Sequence, residues 1–323
     1  MSNCFNPANI LLPNDGIDME KWSVIACDQF TSQADYWDAV EKYVGDAPST
    51  LNVVFPEIYL GTIAKQENDC NSSGAGVKND KETGRKTKYA SMTDDERIKY
   101  INTTMDTYLT DGTLKQAVAD GYVLVERTTE SGVRLGIVGL IDLDDYDFDP
   151  KKKTLIRATE GTVISRIPPR VKIRENAAIE LPHVMLLVDD PIDRQKIDGC
   201  QGATQEDAVN IAAVKHGIIE YVYAIRDTLR KLYDTELMQG GGHIRGYAVE
   251  GEAARQVTEA FAAKQNSCGG FLFAVGDGNH SLATAKTCWE NIKKSEKFTE
   301  EQLKNHPARH ALVEICNLHS EAL

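Results

Sequence analysis

Residues 273–285 have the sequence Phe-Ala-Val-Gly-Asp-Gly-Asn-His-Ser-Leu-Ala-Thr-Ala. An apolar run, a polar segment with two glycines and a second run with helical spacing predict a strand, a five-residue loop and a helix that begins near Ser281. Consecutive backbone N–H groups at the start of a helix bind anions, and glycine lets a phosphate approach closely. The stretch therefore predicts an α/β protein with an anion site at this loop.

The same loop supplies candidate catalytic and ligand-binding side chains. Asp277 and His280 are its two readily titrating residues, so we expect one of them to take part in any proton transfer, with Asp277 as a base or metal ligand. The predicted phosphate cradle consists of Gly276, Gly278, Asn279 and Ser281. An equally weighted alternative is an ordinary turn, in which Asn279 or Ser281 caps the helix and His280 hydrogen-bonds the backbone.

Strands and helices alternate along the rest of the chain. The pattern predicts strands over 22–27, 121–126, 133–143, 182–190, 243–249, 269–275 and 311–318, and helices over 32–44, 93–109, 204–233, 252–264 and 282–293. The second and third strands are predicted to form a hairpin across Ser131-Gly132. Because hairpins exclude a wholly parallel sheet, the predicted fold is α/β with a mixed sheet and flanking helices.

The chain of 323 residues is long enough for about two domains. We place an N-terminal α/β part over 1–150 and a C-terminal α/β part over 151–323. Residues 65–88 have only Cys70, Ala75 and Val77 to bury, so we expect a flexible insertion. The sequence ends soon after its last predicted strand, and we expect it to be a fragment of a longer protein.

Composition disfavours several classes of partner. There are 36 Lys and Arg residues against 49 Asp and Glu residues, a net charge of −13 that repels nucleic acid and anionic membranes. No apolar run reaches the roughly 18 residues of a membrane helix, and none starts near Met1 as in a signal peptide. We therefore expect a soluble, cytoplasmic protein.

The seven cysteines are scattered and include no Cys-x-x-Cys pair, which argues against a disulfide framework and a zinc site. We expect reduced, buried thiols. Cys27 ends a predicted strand beside polar residues and is a weaker candidate nucleophile.

Residues 151–174 contain eight basic residues and one acid, Glu160. Alternation within Arg170-Val-Lys-Ile-Arg174 predicts a strand with three cations on one face. A bound phosphate or carboxylate would offset their repulsion, so Arg166, Arg170 and Arg174 are candidate ligand-binding residues. The alternative is a solvated edge strand that uses charge to prevent aggregation.

Two further patterns favour ordinary structure. Aspartates at 142, 144, 145, 147 and 149 alternate as in a cation-binding loop, but no glycine or terminal glutamate completes a calcium motif, so a solvated acidic turn is predicted. Glycines 240–242 lack the Lys-Ser/Thr of a phosphate loop, so we expect a hinge or a close pass of the backbone over the site. No metal site is predicted from side chains alone.

Seven stretches together resemble a bacterial family known as domain of unknown function 1015. They are residues 26–32, 45–50, 157–163, 166–176, 181–184, 240–244 and 276–281. The resemblance extends over nearly the whole chain except 65–88. Members of that family usually continue past the last strand seen here, which agrees with the expected fragment.

The glycine–histidine loop is also similar to the Asp-Gly-His-His-Arg loop of the ParB/sulfiredoxin-like superfamily, whose members bind nucleotide phosphates there and some of which phosphorylate free serine. This resemblance implies a ParB/sulfiredoxin-like element in the C-terminal half. Ser281 replaces the arginine of that loop, so the charge must come from elsewhere, and the arginines at 166, 170 and 174 are candidates to supply it. The matched stretch 157–163 adds Arg157 and Glu160 to the candidate ligand-binding residues.

These expectations lead to one main hypothesis and one alternative. The main hypothesis is a nucleotide- or phosphate-binding phosphotransferase for small molecules, with Mg²⁺ accompanying the nucleotide. The alternative is a non-catalytic sensor that binds an anionic metabolite through the same arginines. DNA binding in the manner of partition proteins is disfavoured by the net charge of −13.

The expected insertion gives a first prediction. Deleting residues 65–88 and joining the flanks should leave the melting temperature nearly unchanged, because the segment has almost nothing to bury. Thermal unfolding followed by circular dichroism measures this. A loss of several degrees would show that the segment packs against the body of the protein.

Overall fold

The computed structural model describes residues 3–26, 30, 33–59, 89, 91–149, 151–181, 184–192, 211 and 216–323. The expected insertion at 65–88, the candidate nucleophile Cys27 and the first part of the predicted helix 204–233 lie outside these residues. In the described parts of the chain, no helix is both long and apolar enough to cross a membrane.

A mixed sheet is the centre of the fold, and its eleven strands are counted over the described residues. They are β1 (Phe5–Asn6), β2 (Ala8–Pro13), β3 (Leu114–Thr129), β4 (Gly132–Asp142), β5 (Tyr146–Asp147), β6 (Ile156–Arg157), β7 (Met185–Val188), β8 (Arg230–Glu236), β9 (His243–Val249), β10 (Phe273–Asp277) and β11 (His310–Asn317). Their order is β5-β6-β10-β7-β11-β4-β3-β9-β8, with β1 beside β4 and β2 beside β3. The predicted α/β class with a mixed sheet is confirmed.

Eight α-helices lie around this sheet in the same described ranges. They are α1 (Met19–Trp22), α2 (Ala34–Val44), α3 (Asp94–Thr110), α4 (Ile167–Arg174), α5 (Ile218–Ala224), α6 (Gly251–Ser267), α7 (Asn279–Lys294) and α8 (Glu300–Lys304). Apolar residues of α5, α6 and α7 form one core with inward residues of β3, β4, β7, β10 and β11. This core fixes α7, and with it the predicted loop, against the sheet.

Several predicted elements are confirmed. The hairpin is formed by β3 and β4, whose antiparallel register ends at the pair Thr129 and Gly132. Strand β9 has its predicted bounds. Helix α3 begins with a complete capping box, in which Thr93 and Glu96 bond each other's backbone amides.

Two predicted elements are wrong in part. Trp22 ends helix α1 instead of starting a strand. The predicted helix 204–233 is contradicted at its end, because α5 stops at Ala224 and residues 230–233 belong to β8. Antiparallel pairing with β9 from Arg230 to Glu236 provides ladder hydrogen bonds there, and this tertiary pairing outweighs the local helical pattern.

Helix α3 contains a buried arginine that is surrounded by aromatic rings. Arg97 is 2 % exposed, and its guanidinium lies 4.2 Å from the ring centre of Tyr59, 5.2 Å from that of Phe55 and 5.7 Å from that of Tyr89. Its Nε and Nη1 atoms have no hydrogen-bond partner among the described residues. Burial lowers the pKa of Arg97, against the effect of nearby Tyr59 and Glu41. The three aromatic faces therefore contribute to its stabilisation.

This arrangement predicts that Arg97→Lys is destabilising although it conserves charge. An ammonium is compact and strongly hydrated and cannot stack flat on three rings, so we expect a loss of about 2 kcal/mol in the free energy of unfolding. Urea denaturation measures it, with Lys99→Arg at an exposed position of the same helix as the matched control. Equal midpoints for both variants would contradict the aromatic stabilisation of Arg97.

Candidate functional site

The predicted loop is shorter in the structure than in the sequence analysis. Strand β10 continues through Asp277, and helix α7 begins at Asn279. Gly278 alone joins them, in a left-handed conformation with φ +87° that only glycine adopts at little cost. The predicted five-residue loop is therefore wrong, and the helix begins two residues before Ser281.

A bulge in β10 determines which way Asp277 points. Val275 is paired with Leu186 on β7, whereas Asp277 is paired with the next residue, Met185. One extra residue, Gly276, is thus inserted, and it moves Asp277 to the sheet face that carries Met185. A Cβ on Gly276 would lie 3.0 Å from Leu187 Cγ, so glycine suits this crowded position.

On that face, the charge of Asp277 acts on Arg134 of β4, which also pairs with Glu314 of β11. Glu314 on β11 is also paired with Met185, and its carboxylate lies 3.3 Å from Arg134 Nη2 on β4. Burial acts to lower the pKa of Arg134, but the carboxylates of Glu314 and Asp277 hold it above its ordinary value. Arg134 Nε is buried and has no hydrogen-bond partner in the described chain. Sequence analysis missed this pair, since only strand register reveals it.

Asn279 joins the start of α7 to residues 159–163. Its Oδ1 accepts a hydrogen bond from the Thr159 amide at 3.2 Å, and its Nδ2 donates to Thr159 Oγ1 at 3.3 Å. Thr159 Oγ1 in turn donates to the Val275 carbonyl at 2.6 Å. The buried Asn279 side chain is therefore used within the protein and does not cap the helix.

His280 makes a backbone contact that the alternative interpretation anticipated. Its Nε2 accepts a hydrogen bond from the Val163 amide at 3.3 Å. As an acceptor, Nε2 has no proton, so the neutral ring has its proton on Nδ1. His280 and Asp277 thus have different neighbours: His280 contacts the segment before α4, and Asp277 lies near Arg134.

The predicted basic strand at 170–174 is wrong, because this segment is helix α4, preceded by a 3₁₀ turn over Ile164–Arg166. Pro168 and Pro169 explain the difference. Proline has a φ suited to a helix and lacks the N–H that a first turn leaves unbonded. In a helix Arg170 and Arg174 share one face, whereas Lys172 points elsewhere and is exposed.

Helices α4 and α7 pack together, and two pairs of interacting residues indicate that they run in the same direction. Val163 contacts His280 at their starts, and Arg174 lies near Cys288 further along. Cys288 is nine residues into α7, about 13 Å along its axis. No side chain caps either helix or the 3₁₀ turn among the described residues. Two uncapped helix starts therefore lie side by side.

The arginines predicted to bind a ligand are divided by this packing. Arg166 is exposed at the start of α4, and its carbonyl accepts a hydrogen bond from Arg170 Nη1 at 2.8 Å. Arg174 instead pairs with Glu180 at 2.6 Å, near Cys288. Arg157 lies at the opposite end of β10, where it bonds the Gly270 carbonyl.

The structure therefore brings one group of predicted residues together and leaves others apart. The group consists of residues 276–281, residues 159–163 with the exposed Glu160, and Arg166. Arg157 and Arg174 lie apart from it. Sequence analysis did not single out Thr162, whose buried Oγ1 has no hydrogen-bond partner in the described part of the chain. The sequence signal that could have identified Thr162 is its position within the matched stretch 157–163.

The acidic turn after β4 is paired with basic side chains, so the predicted solvated turn is wrong. Arg309 Nη2 lies 2.6 Å from Asp142 Oδ2. Asp144 Oδ1 accepts hydrogen bonds from Trp289 Nε1 at 2.8 Å and Lys293 Nζ at 2.9 Å, both on α7. Burial acts to raise the pKa of Asp144, but Lys293 and Trp289 hold it below its ordinary value. These contacts fix the second half of α7.

The described cysteines behave as predicted. Cys4, Cys268, Cys288 and Cys316 are free thiols, and all but Cys268 are buried. Burial raises the pKa of Cys288 to about 11, and it raises the pKa of Cys4 and Cys316 as well. Such thiols stay protonated and are poor nucleophiles.

The backbone at the triple glycine passes close to a neighbouring strand and not over the candidate site. A Cβ on Gly242, which has φ +83°, would collide with the Thr128 carbonyl on β3, four strands away from β10 in the sheet.

Comparison with known proteins gives one match. A family model described as a protein of unknown function (DUF1015) matches residues 11–323. No curated protein and no solved structure matches the chain.

The left-handed conformation of Gly278 predicts that alanine is more destabilising at Gly278 than at Gly161. Gly278→Ala should lower the free energy of unfolding by about 1–2 kcal/mol, because an L-residue is strained at this φ. Gly161→Ala should change it by less than about 0.5 kcal/mol, since its Cβ would meet nothing within 4 Å. Chemical denaturation compares the two variants. Equal stability would contradict the strained junction.

Proposed function

The chain belongs to the DUF1015 family of proteins of unknown function, and from the geometry of the candidate site we propose that it binds a nucleotide or another phosphorylated small molecule and transfers a phosphoryl group to a small acceptor. The ligand phosphate would lie at the shared start of α4 and α7. We also propose a cytoplasmic location, in agreement with the free cysteines.

The observation that supports a phosphate site most strongly is the pair of adjacent, uncapped helix starts. Each helix start has the equivalent of roughly +0.5 elementary charge. The first amides of α7 have no partner within the helix, whereas the first turn of α4 contributes only its dipole, because Pro168 and Pro169 lack an N–H and the Ile167 amide bonds the Ile164 carbonyl. Two such ends side by side repel each other in the absence of an anion. Arg166 adds a full positive charge at the same place, so a phosphate would satisfy all three groups.

Local geometry supports close approach of the ligand. Gly278 has no side chain between β10 and α7, and the orphaned Thr162 hydroxyl lies in the segment that Asn279 and His280 hold against α7. A hydroxyl left without a partner costs free energy that a ligand oxygen would recover. His280 acts here as a positioning residue, because its Nε2 holds the Val163 amide.

In the proposed reaction an acceptor hydroxyl oxygen attacks the terminal phosphorus of the bound nucleotide. The new P–O bond forms as the bond to the leaving phosphate breaks, and the hydroxyl proton passes to Asp277. Arg166 and the helix starts would stabilise the charge on the transferred group.

The side chains of the described residues can be compared with the ligands that the expected Mg²⁺ requires. Among the described residues, no group of three or more His, Cys, Asp or Glu side chains is placed to hold a metal. Mg²⁺ is commonly held by one or two carboxylates together with substrate phosphates, an arrangement that Asp277 suits. When bound with a nucleotide, the ion would neutralise phosphate charge.

A second candidate is a sensor that binds an anionic metabolite without turnover. The use of His280 Nε2 and the Asn279 side chain in protein contacts favours it, because neither is then available for chemistry. The proposed ParB/sulfiredoxin-like element is compatible with both functions, since the resemblance concerns phosphate binding.

Calorimetry with inorganic phosphate and with ATP tests the binding site. Arg166→Ala should weaken binding of both roughly tenfold, because it removes one charge-assisted hydrogen bond. Lys172→Ala removes the same charge from the exposed side of the same helix and is the matched control. Equal loss in both variants would show a non-specific electrostatic effect and contradict the site.

Turnover separates the enzyme from the sensor. Purified protein is incubated with ATP, Mg²⁺ and a mixture of amino acids, and release of ADP is measured. Asp277→Asn should abolish turnover while ATP still binds, whereas His280→Ala should lower turnover more than binding. Binding of ATP with no turnover in the unmodified protein would favour the sensor.

A further inference from the structure

The start of α4 exposes two apolar side chains beside the proposed phosphate site. Ile164 is 72 % exposed, the highest value among large hydrophobic residues of the described chain, and Val163 is 46 % exposed. Isolated apolar residues on a surface need no explanation. These two are adjacent, however, and the Val163 amide is bonded to His280 in the first turn of α7.

We propose that Val163 and Ile164 form the seat for the flat ring of a nucleobase, so that the ligand of this site is a nucleotide and not a sugar phosphate. This inference rests on the proposed phosphate site. The contact would remove apolar surface of both the ring and the two side chains from water.

The position of the two side chains relative to the helix starts supports this assignment. The hydrogen bond between Val163 and His280 fixes the 3₁₀ turn Ile164–Arg166 against the first turn of α7. A phosphate bound at the first amides of α7 would therefore have Ile164 as an apolar neighbour. Arg166 ends the same turn, and its planar guanidinium can bond a phosphate or stack on an aromatic ring.

The size and charge of the exposed patch argue against larger partners. In a stable protein interface, each partner usually contributes about 20–30 residues and buries about 800 Å² of its surface. Two side chains are far fewer. The net charge of −13 disfavours an anionic membrane surface. A single heterocyclic ring matches the area that two aliphatic side chains offer.

Calorimetry with inorganic phosphate, ribose 5-phosphate and AMP tests the seat. The unmodified protein should bind AMP roughly tenfold more tightly than ribose 5-phosphate, because only AMP has the ring. Ile164→Ser should remove that preference and leave the affinity for ribose 5-phosphate unchanged. Val133→Ser, at a 47 % exposed valine on β4, is the control and should keep the preference.

Each result has a distinct meaning. Equal binding of AMP and ribose 5-phosphate by the unmodified protein would overturn the seat while the phosphate site stands. A preference for AMP that survives Ile164→Ser would also overturn it, because the ring then lies elsewhere. Failure of all three phosphates to bind would overturn both the seat and the proposed function. A dimer that dissociates on Ile164→Ser would identify the patch as a contact between two copies and overturn the seat.

Discussion

The change from strand β10 to helix α7 across the single residue Gly278 is the constraint on which the candidate site depends. A chain can make this change so abruptly only with a left-handed residue, and glycine takes that conformation without strain. The bulge at Gly276 places Asp277 on the sheet face that carries Met185. One short stretch thus contains both an acid and the first amides of a helix, with Gly278 between them.

The position of α4 follows from this junction. Asn279 and His280 hold residues 159–163 by their backbone amides, and that segment leads directly into the 3₁₀ turn before α4. The side chains that appeared in the sequence to be ligand-binding or catalytic groups therefore assemble the site. What they assemble is a pair of helix starts, whose partial charges come from the backbone and leave no trace in side-chain composition.

The sequence was informative wherever a local pattern and a tertiary requirement agreed. Strand β9, the β3–β4 hairpin and helix α3 were predictable because apolar spacing, turn residues and caps indicated the same element. The helix at 170–174 was not predicted, because the alternation of basic residues indicated a strand and the two preceding prolines were given less weight. The interaction of Asp277 with Arg134 was beyond prediction as well, since strand register alone brings Arg134 and Glu314 to the same sheet face as Asp277.

The two attachments of α7 have a consequence for how the protein opens. Its first turn is held by Thr159 and Val163, and its second half by Asp144 and the Leu143 carbonyl, which accepts a hydrogen bond from the buried Lys286. Fluctuations that expose backbone amides proceed in cooperative units, and a helix fixed to two other segments cannot fray from one end alone. Amide exchange in α7 therefore requires release of the turn after β4 as well. We therefore expect the backbone amides at the start of α7 to exchange as slowly as those of the sheet core.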